Sequence, residues 1–570
     1  MPAGGSAPPF LPPGTGTRAG RVPFLPQGGR ALAWFLLATL TLAVLAPLAL
    51  VLFSLTLPPD EQWLELSRIV LPRYLTTSLQ LALGVGLATL LLGVSTAWLV
   101  TRCHTPGWPL LQWLLVLPLA FPTYLLAYAY TDLLEYAGPV QTTLRAWFGW
   151  SRRDYLFPEI RSVPGAIMVL TLALYPYVYL LARTAFLRTP ASLLEAGRIL
   201  GGNPWRNFLT IALPLARPAL VAGLALAMME TLADFGAVQY FAIDTFTTGI
   251  YLSWFALGSP QAAAQLAALL LLTVGAVLLA ERLARGSARY HEPTARSGPP
   301  SRYRLGPLVA IGAVVLCLLP VLFGFVVPVA VFLRLAAIAG DARFGPDYLP
   351  LVRNSVLLAG AAALLITLLA LALGYAVRLA RQRALVLLAR LAGLGYAIPG
   401  SVLSIGVLAV LGAVDRLLNA SAERLAGGMV GLVAGGSLAA LLYAYSVRFL
   451  AVGQQAVESG FARLGPTLDD AARTLGEGPF GVLRRVHLPL LRASLLTGLL
   501  LAFVDVLKEL PATLIVRPFN LDTLAVRAYQ LATDERLAEA ATPALTIVAA
   551  GLLPVLALSV AIARSGESPR

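Results

Sequence analysis

The chain has 570 residues, of which 58% are hydrophobic and 12% charged, about half the charged share of an ordinary soluble domain. An apolar excess of this size cannot be buried inside a water-soluble fold, so the composition excludes a soluble enzyme and predicts a protein whose solvent is lipid. The net charge of +14 would suit nucleic acid, but the arginines are spread over short loops between apolar runs with no aromatic-interleaved basic domain. Membrane topology accounts for them, and nucleic acid is not an expected partner.

In chain order, residues 1–30 are rich in Pro and Gly and predict a disordered cytoplasmic tail. The first apolar run, Ala31 to Leu55, is too long for a signal-peptide core and is expected to stay in the membrane. A helix needs about 20 apolar residues to cross the hydrocarbon. That test places spans near 31–55, 75–100, 110–134, 164–184, 217–236 and 262–281. A basic linker at 284–306 comes next. The pattern then resumes near 307–333, 355–379, 385–412, 428–450, 493–512 and 539–563, before a short tail at 565–570. The expected architecture is all-α, with about twelve transmembrane helices in two domains, 31–283 and 307–564.

Arginine placement sets the orientation. With the N-terminal tail inside, inner segments carry roughly 27 Lys/Arg and outer ones roughly 14. The outer loop 136–163 dissents with four arginines. The linker and the long loops 185–216 and 451–492 favour the inside, which makes both termini cytoplasmic and the chain a multi-pass protein of the inner (plasma) membrane.

Cys103 and Cys317 are too few for a disulfide framework and lack metal-site spacing. Lys508 is the only lysine, in VDVLKELPA. A phosphate-binding P-loop needs G-x-x-x-x-G-K-S/T, and no glycine stands among the residues just before this lysine. No cofactor is therefore expected in this chain, and if ATP drives it, another subunit binds the nucleotide.

The two halves repeat. At a constant offset of 275, residues 193–223 align with 468–498: Arg198 meets Arg473, Gly201 meets Gly476, Pro204 meets Pro479, and Leu213-Pro214 meets Leu488-Pro489. Upstream, Ser78 and Pro122 meet Ser355 and Pro399 at offset 277. Each repeated loop reads as a short helix, a glycine turn that permits positive φ, and a second helix opened by proline. A plain connector between helices usually runs about 2–8 residues. A loop near 30 residues, patterned alike twice, predicts a docking surface.

Glu195-Ala196-Gly197, Gly201, Ile211-Ala212-Leu213-Pro214 and Asp470-Ala471-Ala472, Gly476, Val486-His487-Leu488-Pro489 resemble the signature loop of binding-protein-dependent ABC importer permeases. The first copy has glycine as third motif residue, and the second has Asp for Glu and Val for Ile. The resemblance covers nearly the whole chain. It implies a type I permease fold, a non-enzymatic transport subunit, and loops that dock in grooves of two copies of an ATPase subunit. ATP and magnesium would be held by that ATPase, and substrate delivered by a periplasmic or surface solute-binding protein. The fused two-half form, with the segments 230–255 and 508–535, is most similar to ferric-iron permeases. Thiamine, sulfate or molybdate, phosphonate and polyamine permeases share the fold.

Glu230 and Asp234 lie four apart, on one helix face if the helix is continuous, and at offset 275 they fall on Asp505 and Glu509. Four carboxylates facing one another across a pseudo-twofold axis are the expectation. Asp234 lies about 26 Å along the helix from Arg217, near the outer mouth. Intramembrane acids usually face a bundle interior or a water-filled pathway, and hard cations take oxygen ligands. Two roles are open to them: lining the ion route, or structure, with Lys508 neutralising a neighbouring acid and Glu509 capping a helix at Pro511. Tyr124, Tyr128 and Tyr130 read as packing aromatics. His104, His291 and His487 read as bystanders in cytoplasmic segments. A gradient-driven secondary transporter is the rival class. Its G-x-x-x-D-R-x-G-R-R loop has no likeness in TRCHTPGW.

Overall fold

The computed structural model describes residues 27–285, 302–339, 348–380, 382–426, 428 and 431–566. Most of the tails and linker expected over 1–30, 284–306 and 565–570 lies outside the described residues, and residues 27–30 belong instead to the first helix, Gln27–Phe53. Among the described residues every regular element is helical, and the only extended pairing is a single bridge between Cys103 and Tyr303.

Nine described helices are long and apolar enough to cross a bilayer, and a tenth candidate is a pair bent by 90° between Trp108–Ala120 and Thr123–Phe148. Leu438–Ala462, which carries Arg448 and Glu458, and Leu537–Gly566 bring the total to about twelve. Helices open on recognisable caps. Ser162 accepts from the Gly165 N–H at the start of Val163–Arg188, and Ser437 accepts from Ala440 at the start of Leu438–Ala462.

The compact units and the sequence repeats divide the chain differently. One unit joins residues 1–57 to 349–523, and the other joins 58–348 to 524–570. In the first unit, the opening helix Gln27–Phe53 is held by Thr41, which donates to the Leu388 carbonyl, and by Tyr443, which donates to that of Ala43. In the second, Leu71–Arg102, Val163–Arg188 and Leu213–Ala233 share a core of Val94, Ala97, Trp98, Tyr179, Phe186 and Ala216.

Three expected spans change shape. The run 110–134 is broken at Pro122, and 385–412 is broken at Pro399, where the long helix Gly400–Ala426 begins. These prolines occupy the same repeat position, so both halves break there. The span expected at 428–450 starts instead at Leu438. Gly431 and Gly436 turn the chain with φ of 85° and 73°, and Asp415 accepts from the N–H groups of Val433, Ala434 and Gly435. That local cap satisfies backbone donors which a longer helix would otherwise use.

Candidate functional site

Both repeated loops fold as expected. Ala191–Ile199 is followed by Gly201 at φ 79° and by Pro204–Asn207. Pro466–Thr474 is followed by Gly476 at φ 86° and by Pro479–Val482. A side chain at either glycine would force an L-residue into the left-handed region. Each loop then enters its span through a π-helical turn, Phe208–Ala212 and Leu483–His487, again at offset 275.

The motif residues sort by exposure. Glu195, Ala196, Asp470 and Ala471 are exposed, whereas Ala472 is buried. Gly197 stands against Asn207 and Ile211, which would lie 2.7 Å from an added Cβ, so the departure from alanine at this motif position has a packing cause. Pro214 and Pro489 lie exposed just inside the spans, beside half-buried Leu213 and Leu488. Beyond the motif, the loops present matching apolar residues to solvent: Leu200 and Trp205 in the first, 83% and 67% exposed, and Leu475 and Phe480 in the second, 85% and 73% exposed.

The loops are anchored by different chemistry. In the first, Arg102 at the end of Leu71–Arg102 donates to the carbonyls of Phe186 (3.0 Å) and Thr189 (2.5 Å). In the second, Arg378 donates to Phe461 and Leu464, the positions matching Phe186 and Thr189. It also grips buried Asp469 through two bonds of 3.0 and 3.1 Å. His487 closes this cluster, its Nε2 lying 2.7 Å from Asp469, so the histidine read as a bystander is a buried structural residue. Burial pushes the Asp469 carboxyl up, but the hydrogen bonds from His487 and Arg378 outweigh it and hold the group below its ordinary value of 3.8. The first loop has Leu194 and Ala212 at these two places.

The four acids do not sit as one continuous face per helix. Leu213–Ala233 ends before Asp234, and Leu488–Leu507 ends before Lys508 and Glu509. Glu230 and Asp505 are helical, while Asp234 and Glu509 lie at breaks and each caps the next short helix. Asp234 accepts from the N–H groups of Ala237 (3.0 Å) and Val238 (3.2 Å) and from the Thr123 hydroxyl. Glu509 accepts from the Ala512 N–H at 3.1 Å, capping the short helix that opens at Pro511.

Lys508 neutralises a neighbouring acid, as expected, while Glu509 also gains a partner that the sequence did not suggest. Lys508 pairs with Asp505 at 2.9 Å, and Glu509 pairs with Arg448 at 3.2 Å in a setting only 12% and 7% exposed. The repeat shows how this arises. Where the first half has Thr123, the second has Gly400, and an added Cβ there would lie 2.6 Å from the Arg448 guanidinium. Where the second half has Arg448, the first has Ala173. One acid is held by a neutral hydroxyl and the other by a buried cation. Tyr124 and Tyr128 pack among aromatics, as expected, with Tyr128 edge to face on Tyr240.

Two tandem copies of a helix–glycine turn–helix loop within an apolar helical scaffold fit the pattern that resembles importer permeases. The family described as Binding-protein-dependent transport system inner membrane component matches residues 89–289. The chain is 24% identical over 499 residues to an Fe(3+)-transport system permease protein of Haemophilus influenzae, covering 85% of this chain and 89% of that protein. It is 23% identical over 500 residues to a ferric transport system permease protein of Actinobacillus pleuropneumoniae, covering 84% and 69%. It is 33% identical over 164 residues to the molybdenum transport system permease protein of Escherichia coli, covering 29% and 69%. The chain belongs to the binding-protein-dependent transport system inner membrane components, and it is an ABC importer permease that spans the inner membrane many times.

Proposed function

We propose that this permease takes up ferric iron delivered by a solute-binding protein on the outer face, driven by two copies of a separate ATPase docked on the loops 185–216 and 451–492. Both loops and both termini are then cytoplasmic. The observation that carries the docking is the recurrence of an exposed leucine and aromatic at the same repeat positions, Leu200 with Trp205 and Leu475 with Phe480. Apolar side chains so exposed beside a rigid glycine turn are what a protein groove covers. Glu195 and Asp470, also exposed, flank these patches as polar contacts.

Iron is supported by similarity to ferric permeases along most of the chain and by the acids. Asp505 and Glu509 are matched by Lys508 and Arg448, so in that unit these pairs contribute no net negative charge. Asp234 is held by neutral donors, the Thr123 hydroxyl and the Ala237 and Val238 N–H groups, and presents its carboxyl to a passing cation. Glu230 stands one turn before it and extends the same route.

A second reading, an oxyanion such as molybdate, is favoured by the higher identity to the molybdenum permease over a shorter stretch. Metal analysis of the binding protein that copurifies with the permease, followed by competition between ferric ion and molybdate for uptake, separates the two. Iron in that protein and uptake indifferent to excess molybdate are expected. Molybdenum in it would defeat the iron reading.

A further inference from the structure

The first loop is tied to a segment that plays no part in the family pattern, the end of the linker. Tyr303 is 3% exposed. Its backbone accepts from the His104 N–H and donates to the Arg102 carbonyl, each at 2.8 Å, fixing it beside the end of Leu71–Arg102. Its hydroxyl accepts from Asn207 Nδ2 at 3.1 Å, and the Arg198 guanidinium lies 4.3 Å above its ring. One side chain thereby touches both short helices of the loop, Arg198 on the first and Asn207 at the end of the second.

Asn207 is 2% exposed, and its other bonds, to the carbonyls of Leu194 and Gly202, are long at 3.5 and 3.4 Å. At the matching place the second loop has Val482, buried and without an amide to satisfy. Its own anchor is the Arg378–Asp469–His487 cluster.

We propose that Tyr303 is the positioning residue of the first docking loop, fixing the angle between its two short helices, and that the second loop is positioned independently by Asp469. The proposal rests on the reading of both loops as ATPase docking surfaces. Its consequence is that the two docking sites can be loosened separately by single substitutions far apart in sequence.

The test uses full-length permease, alone in detergent and copurified with its ATPase. Hydrogen exchange is monitored over 191–207 and 466–482, and ATPase retained per permease is measured after washing without nucleotide. Tyr303→Phe removes the hydroxyl alone and leaves a buried amide short of an acceptor, so exchange over 191–207 should quicken about tenfold. Tyr303→Ala should quicken it further and lower ATPase retention, while 466–482 stays unchanged. Asp469→Asn should do the reverse. Adding Asn207→Val to Tyr303→Phe copies the second loop and should restore slow exchange, which a merely destabilised chain would not do. Trp205→Ala serves as the docking control. If Trp205→Ala lowers retention but Tyr303→Ala changes neither exchange nor retention, the positioning role is overturned. It is overturned too if exchange quickens while retention holds. If Trp205→Ala itself leaves retention intact, the docking reading fails instead.

Discussion

Breaking the Arg448–Glu509 pair should be among the costliest conservative changes in the unit that holds it. Glu509→Gln keeps an oxygen for the Ala512 N–H, so the cap at Pro511 survives, but it strands the Arg448 guanidinium 12% exposed. Removing one partner of a buried ion pair costs about 3–5 kcal/mol, because the remaining charge has lost both water and its counter-ion. Arg448→Met strands Glu509 in the same way, at 7% exposure. The double substitution leaves no buried charge and should recover most of the loss. The assay is thermal unfolding of the purified permease in detergent for the two single variants and the double, with Lys508→Met beside them. Lys508→Met should behave like Asp505→Asn and not like Glu509→Gln, since Lys508 pairs with Asp505. Single variants within about 0.5 kcal/mol of the parent, or a double variant as unstable as the sum of the singles, would refute the argument.

Gly201→Val and Gly476→Val place a β-branched residue at φ of 79° and 86°; about 1–2 kcal/mol of backbone strain should distort each turn and lower ATPase copurification while membrane insertion persists. Because Asp469 is held below its unfolded value of 3.8, its contribution is fully present above that value and is lost only as pH falls through the lower folded one. Exchange over 466–482, corrected for intrinsic rates, should therefore show no loss of the Asp469 anchor between about pH 7.5 and about pH 5. A cysteine placed at Tyr290 should resist impermeant thiol reagents added outside intact spheroplasts; labelling there would overturn the cytoplasmic assignment of the linker.

Duplication made most of the fold legible in the sequence. Gly201 and Gly476, Pro204 and Pro479 are local signals, each acting through its own backbone, so alignment of the halves was enough to place both loops and their turns. The breaks at Pro122 and Pro399 were harder to see, because the apolar run continues through them and hydropathy does not register a change of direction. The late start of Leu438–Ala462 is hidden from hydropathy because Asp415, a residue of the preceding helix, holds the N–H groups of Val433, Ala434 and Gly435 in a turn, and Ser437 then caps the helix. The Arg448–Glu509 pair joins residues that no spacing rule connects. Comparing the halves position by position held a clue to it, in the joint exchange of Thr123 and Ala173 for Gly400 and Arg448. Asp469 was overshadowed by its neighbour Asp470, which fills the motif position yet is exposed. Tyr303 had no signal, since its importance comes wholly from where the linker lands.

The measurement that bears most directly on the account is ferric uptake into sealed vesicles holding the permease with its copurified ATPase and binding protein. ATP is supplied on the loop side, and the proton gradient is collapsed by an ionophore. The account predicts uptake that requires ATP, persists without the gradient, and is lost in the Trp205→Ala, Phe480→Ala double variant although that variant still inserts. Uptake driven by a proton gradient in the absence of ATP, or undiminished in the double variant, would contradict it.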